Sequence, residues 1–114
     1  MSSDRRRVSR DRRKSQRVPA VFAVKNAMGR SVQLCQAEDI NPSGITIKRP
    51  RGSHVLLRTE VELAFALPGS HEEISARGLV VSDCVAGSFR RTGVRFIAVR
   101  PEHAKLIAGY CRRA

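Results

Sequence analysis

The sequence predicts an all-β fold with a C-terminal helix, arranged as a small antiparallel barrel or sandwich. Six segments alternate apolar and polar residues or are rich in Val, Ile and Phe, as half-buried strands are. Clusters of Gly, Pro, Asn and Ser separate these segments at nearly regular intervals. The last segment instead repeats its apolar residues at helical spacing. A chain of 114 residues allows one domain of this kind.

Each predicted strand ends at a recognisable turn or loop signal. The clearest is Asn41-Pro42-Ser43-Gly44, in which Pro restricts the backbone and Asn, Ser and Gly favour a tight turn. Gly29, Pro68-Gly69 and Gly87 mark further chain reversals. The strands are therefore expected at 18–28, 31–40, 45–48, 61–67, 74–81 and 92–99.

A helix is expected from Pro101 to the end of the chain. Proline suits the first helical position because its missing N–H would have no partner there. Cations at Arg112 and Arg113 suit the negative end of the helix dipole. The apolar positions that recur at helical spacing are Ala104, Ile107 and Cys111.

Positive charge is concentrated at the N-terminus. The chain has 22 Lys and Arg against 10 Asp and Glu, a formal charge of +12. Residues 1–17 contain eight of the basic and two of the acidic side chains, so this segment alone contributes +6. With only Val8 as an apolar anchor, it cannot bury enough surface to fold by itself. We therefore divide the chain into a flexible basic arm (1–17), a β-barrel (18–100) and a helix (101–114).

Composition excludes several classes of protein. No apolar run approaches the roughly 20 residues that a membrane-spanning helix requires. The basic start is not followed by the apolar segment of a secretory signal. Three widely spaced cysteines fit neither a disulfide framework nor a zinc motif, which favours a reducing cytoplasm.

The scattered residues with reactive or aromatic side chains are interpreted as structural. The cysteines are expected in the core and the histidines at the surface, and the aromatic residues show no ladder for stacking nucleic-acid bases. The residues concerned are Cys35, Cys84, Cys111, His54, His71, His103, Phe22, Phe65, Phe89, Phe96 and Tyr110.

Two short motifs have chemistry that suits a ligand with both phosphate and guanine groups. Arg13 and Arg17, four residues apart, present two planar guanidinium groups that can bind phosphate oxygens or the O6/N7 edge of guanine. Asp39 can accept hydrogen bonds from the N–H groups of guanine, and Asn41 can both donate and accept. Gly44 allows positive φ and close backbone approach. Each motif alone is also ordinary: arginine pairs are common in this arm, and the turn is typical of hairpins.

The order of the two motifs resembles that of the PilZ domain family, the bacterial receptor module for cyclic di-GMP. The family carries R-x-x-x-R just before its first strand and [D/N]-x-S-x-x-G some twenty to thirty residues later. The matching segments here are 11–19 and 39–47, and the likeness continues through 76–81, 92–96 and 101–113.

This resemblance covers about residues 10–112 and implies a six-stranded antiparallel β-barrel with a C-terminal helix. It also implies that Arg13 and Arg17 bind phosphate and guanine and that Asp39 holds a guanine edge. Asn41 stands at the family's serine position, and Gly44 stands at its glycine of close approach.

Further positions refine this comparison. Arg12 precedes the first motif, where an arginine in the family accompanies binding of an intercalated ligand dimer. Asn41 departs from the usual serine; the register that would keep Ser43 as that serine puts Thr46 where glycine belongs. Ser82 lies near where some members have an aromatic that stacks on guanine. Loss of that stacking could cost about 1–3 kcal/mol.

The sequence therefore predicts a non-enzymatic cyclic di-GMP receptor. Ligand would order the arginine arm over the barrel and signal to a downstream protein partner, in motility, surface attachment or polysaccharide export. One alternative is a basic β-barrel that binds nucleic acid, and another is a PilZ-like interaction module without ligand. An enzyme is not expected, because no paired carboxylates, metal cluster or nucleophile motif is present.

Overall fold

A computed structural model describes residues 17–113 as six strands followed by one helix. The predicted all-β class with a C-terminal helix is confirmed. The elements are β1 (Val18–Met28), β2 (Ser31–Asn41), β3 (Gly44–Pro50), β4 (Glu60–Phe65), β5 (Ile74–Ala86), β6 (Phe89–Val99) and α1 (Pro101–Arg113).

The six strands form a closed antiparallel barrel, so the sandwich alternative is wrong. Their order around the barrel is β1-β2-β3-β6-β5-β4, and β1 closes the sheet by pairing with β4. At this seam, Val24 lies opposite Phe65. Because the sheet closes, each of the six described strands has a partner on both sides, which removes the usual route to edge-to-edge aggregation.

The barrel interior is filled by the aliphatic side chains that alternate inward along the strands. Val24, Ile40, Ile45 and Ile47 are fully buried there. From α1, Ile107 packs into the same cluster, so the helix completes the core. Aromatic packing is limited, as the composition requires: the rings of Phe22 and Phe65 have centroids 5.4 Å apart.

The strand boundaries differ most from expectation at the hairpin between β5 and β6. These strands extend to Ala86 and back from Phe89, whereas 82–91 was expected to be a loop. Cross-strand pairs such as Asp83 with Thr92 continue through this segment. Gly87 has φ 69°, a left-handed conformation that glycine adopts without steric cost. Strand β3 (Gly44–Pro50) is longer than the expected 45–48, and β4 (Glu60–Phe65) is shorter than the expected 61–67.

The expectations for cysteines, histidines and aromatics were partly wrong. Cys84 is exposed on β5, although Cys35 is buried and Cys111 packs against the core. Burial raises the pKa of both the Cys35 and the Cys111 thiol.

His103 is buried rather than exposed, and its Nδ1 accepts a hydrogen bond from the Ser75 N–H at 3.3 Å. The phenyl ring of Phe89 lies outside the core, beneath Lys48.

Among residues 17–113, no helix has the length and apolarity needed to cross a bilayer. In the same part of the chain, no three His, Cys, Asp or Glu side chains are grouped as a metal ion would require.

Candidate functional site

The residues of the sequence-predicted site that the structure describes lie at the outer face of β2, β3 and β6. The β2–β3 register places Asp39 opposite Thr46, and the β3–β6 register places Thr46 opposite Gly93. Because neighbouring residues of a strand point to opposite faces, this row lies outside the core formed by Ile45 and Ile47. Asp39 is therefore presented at the surface of the barrel.

Arg17 and Asp39 come together as an ion pair. The Arg17 Nη1 atom lies 3.3 Å from Asp39 Oδ1, with 40% and 26% of the two side chains exposed. The last residue of the first motif thus contacts the first residue of the second. An ion pair with this exposure contributes only about 0–1 kcal/mol, so a competing ligand could separate it at little cost.

Asn41 forms the turn between β2 and β3. Its Oδ1 accepts hydrogen bonds from the Ser43 N–H at 2.8 Å, the Ser43 hydroxyl at 3.1 Å and the Gly44 N–H at 2.8 Å. This is an Asx turn, in which the side-chain oxygen replaces a backbone acceptor. The Asn41 side chain is buried. It is longer than that of serine, and its Oδ1 atom accepts the hydrogen bonds that fix the turn.

Gly44 is required by the approach of β3 to β6. A Cβ atom at this position would overlap the backbone carbonyl oxygen of Val94. Gly44 does not have a positive φ, so backbone conformation is not the reason for glycine here. In the described chain, the glycines with positive φ are Gly29, Gly69 and Gly87. The close backbone approach expected of Gly44 therefore occurs, and it occurs within the barrel itself.

A second, stronger ion pair lies beside Asp39 and was missed by the sequence analysis. Arg91 binds both carboxylate oxygens of Glu38, with distances of 2.6 and 3.0 Å. The Arg91 guanidinium lowers the pKa of Glu38, and Glu38 raises the pKa of Arg91. A shift of register between Ala37 and Asp39 places Glu38 in this position. No sequence signal marks that bulge, so only the cross-strand pairing reveals the contact.

This pair gives a pH-dependent contribution to stability. The folded-state pKa of Glu38 lies below its ordinary value of 4.5, so the pair stabilises the fold above that pH. As pH falls through the lowered pKa, Glu38 is protonated and the contribution is lost. We expect Glu38→Gln to lower the unfolding free energy at neutral pH but not well below pH 4.5. Urea denaturation at the two pH values tests this. The same change at the exposed Glu62 controls for the loss of one surface carboxylate, and a pH-independent effect of Glu38→Gln would contradict the assignment.

Ser82 offers no aromatic platform in the row of Asp39. Ser82 is exposed on β5 and lies opposite Gly93 of β6. A Cβ atom at Gly93 would overlap the Ser82 hydroxyl. The side chains at this part of the surface are therefore short, and the Ser82 hydroxyl is polar. Phe96 is nearer to Gly93 along β6 but packs against the core, whereas Phe89, four residues from Gly93, has the Lys48 ammonium 4.7 Å from its ring centroid. Arg12 and Arg13 lie outside the described residues, and their predicted roles stay predictions.

The chain is thus a closed six-stranded barrel with a terminal helix and an arginine–aspartate pair on its outer face. The family model for the PilZ domain matches residues 11–113. The chain belongs to the PilZ domain family, whose members are cyclic di-GMP receptors. It is accordingly a regulatory domain.

Two solved structures share the fold. The Bacillus subtilis inhibitor of motility MotI/DgrA superposes with a TM-score of 0.78 at 17% identity, covering 85% of this chain and 48% of that one. The present chain thus spans about half the length of that protein. The PilZ domain of CeSA from a cellulose-synthesizing bacterium superposes with a TM-score of 0.64 at 19% identity, covering 83% and 97%. No curated protein has a significantly similar sequence.

Proposed function

We propose that this protein is a cytoplasmic, non-enzymatic receptor for cyclic di-GMP that uses the outer face of β2 and β3. The observation that supports this most directly is the ion pair between Arg17 and Asp39, which joins the two sequence motifs. Both side chains have hydrogen-bonding capacity that suits the ligand, and both are accessible. Family membership supplies the identity of the ligand.

Binding would exchange one set of ionic interactions for another. Asp39 would release Arg17 and accept hydrogen bonds from the N–H groups of a guanine. The freed Arg17 guanidinium, with Arg12 and Arg13, would then bind phosphate oxygens or the O6/N7 edge of guanine. Since the broken pair is exposed, the exchange costs little, while the new hydrogen bonds to the ligand are charge-assisted.

The Asn41 turn would contribute to ligand binding by fixing the position of Asp39. Three hydrogen bonds to one oxygen hold the β2–β3 connection rigid, and the Phe96 N–H donates to the Ser43 carbonyl at 2.8 Å, tying the turn to β6. Gly44 permits that close packing. In this proposal Asn41 and Gly44 act mainly by positioning, and the arginines and Asp39 make the polar interactions with the ligand.

The signal would be the change in the arginine arm. Closing the arm over the ligand creates a surface that differs from the ligand-free one, which a protein partner can detect. Ordering such a segment on binding consumes part of the interaction free energy, so affinity should be lower than the polar interactions alone suggest. The regulated process would belong to motility or biofilm formation, as the resemblance implies.

Calorimetric titration with cyclic di-GMP tests the site. We expect Arg17→Ala and Asp39→Ala each to weaken binding by roughly 10- to 150-fold, the equivalent of losing a charge-assisted hydrogen bond of about 1.5–3 kcal/mol. Arg13→Ala extends the test to the arm. Arg77→Ala is the matched control, because Arg77 is exposed on β5 and pairs with β4 on the other side of the barrel.

Equal heats for the wild type and Arg17→Ala, or no heat for either, would end this assignment. Salt dependence separates the nucleic-acid alternative: a duplex binder loses affinity steeply with salt, whereas a ligand with two charges does so weakly. Steeply salt-dependent binding of random duplex DNA, without binding of cyclic di-GMP, would favour that alternative. A chain that binds neither would be the ligand-free interaction module.

A further inference from the structure

A wide groove runs along the outer face of β1, β2 and β3 to the start of β6, with a volume of about 620 Å³. Its walls are mainly apolar, and the side chains of Val21 and Leu34 are exposed there, by 70% and 76%. The residues that define this groove, called the outer groove below, include Val21, Leu34, Lys48, Arg49, Pro50 and Phe89.

Arg49 borders the outer groove, but its side chain belongs to a buried network on the inner face of β3. The residue is 2% exposed, and its Nη1 lies 3.5 Å from Asp83 Oδ1. Arg90 binds the same carboxylate at 3.0 Å, so two guanidinium groups share one buried negative charge. Among residues 17–113, Arg49 Nε has no hydrogen-bond partner. Because Arg49 follows the core residue Ile47 by two positions, it shares the inward face of β3, and the cation that β3 presents to the outer groove is the ammonium of Lys48.

The charges around the outer groove are also unbalanced. The Lys48 ammonium lies 4.7 Å and the Arg91 guanidinium carbon 5.6 Å from the centroid of the Phe89 ring. The nearby carboxylate of Glu38 is already bound by Arg91. A second copy of this chain, or its own basic arm, would bring positive charge to a positive surface. Charge complementarity therefore favours an acidic occupant.

We propose that the outer groove binds a segment of a partner protein in which apolar side chains alternate with carboxylates. The apolar side chains pack on Val21, Leu34 and Phe89, and a carboxylate interacts with the Lys48 ammonium. The open shape suits a protein segment better than a small ligand, which is usually enclosed on most of its surface. This inference rests on the proposed function in one respect: it supplies the partner-binding surface that the receptor needs.

The experiment is a titration of the full chain, without cyclic di-GMP, with a synthetic peptide that alternates leucine and glutamate. Nitrogen–proton NMR spectra report the backbone amides of Leu34, Lys48 and Phe89, and all three signals should shift. Leu34→Ser should weaken binding by about tenfold or more, because a leucine contact is lost. Val32→Ser is the matched control: Val32 is 67% exposed two residues along the same face of β2 but does not line the groove, so affinity should change by less than about twofold.

A peptide with glutamine in place of glutamate separates charge from apolar contact, and it should bind about tenfold more weakly. Absence of shifts at millimolar peptide, equal binding of the glutamine peptide, or equal effects of Leu34→Ser and Val32→Ser would each overturn the proposal. Shifts that follow protein concentration alone would do so too, since they identify a second copy as the occupant. Arg17→Ala, which tests the cyclic di-GMP site, should bind the peptide normally, so failure of one proposal is distinguishable from failure of the other.

Discussion

Replacing Asp83 with alanine is expected to lower the free energy of unfolding by about 3–5 kcal/mol. Asp83 is the single carboxylate between Arg49 and Arg90, and its side chain is 2% exposed. Its Oδ1 also accepts a hydrogen bond from the Thr92 hydroxyl at 2.7 Å. Removing it leaves buried positive charge without compensation. Domains of this size are stable by about 5–15 kcal/mol, so the variant should retain only part of its stability.

Urea denaturation at neutral pH measures this effect, and two further variants serve as comparisons. Arg49→Met should cost less than Asp83→Ala, because Asp83 would keep Arg90 and Thr92 as partners. Glu60→Gln breaks an exposed pair with Arg77 at 3.9 Å and should change stability by about 0–1 kcal/mol. Equal stability of Asp83→Ala and Glu60→Gln would show that the network contributes no more than a surface ion pair.

Gly44→Ala is expected to destabilise the barrel by about 1–3 kcal/mol through overpacking between β3 and β6. The added methyl group would overlap the Val94 carbonyl oxygen, a backbone atom that cannot move without shifting the strand. Thermal or urea unfolding tests the prediction.

Gly52→Ala is the matched control for this substitution. A methyl group at Gly52 meets no atom within 4 Å, and the backbone φ there is not positive. This change should be neutral or stabilise by about 0.4–1 kcal/mol through the unfolded state. If Gly44→Ala behaves in the same way, the glycine is not required by strand packing, and its predicted role beside the ligand becomes the better explanation.

The proposed ligand site and the outer groove are neighbours on one face of the barrel. Glu38 precedes Asp39 in β2, and its partner Arg91 lies over the Phe89 ring at the groove. The Glu38–Arg91 pair is thus part of the border between the two proposed sites.

The sequence was sufficient to predict the elements and the motifs. Alternation of apolar and polar residues depends only on which face of a strand is buried, so β1 and β2 were predicted almost to the residue. The helix was predicted from Pro101 and its apolar spacing for the same local reason. The two motifs were recognisable because each is short and contiguous in sequence. Their resemblance to the motifs of PilZ domains was enough to imply a closed barrel.

What the sequence could not determine was every contact that depends on strand register. Glu38 and Arg91 are 53 residues apart, and a bulge in β2 brings them together. Asp83 was expected in a loop because a short polar segment gives no periodic signal, yet pairing with β6 buries it between two arginines. Local patterns report which face a side chain occupies, whereas its partner across the sheet is set by the packing of the whole barrel.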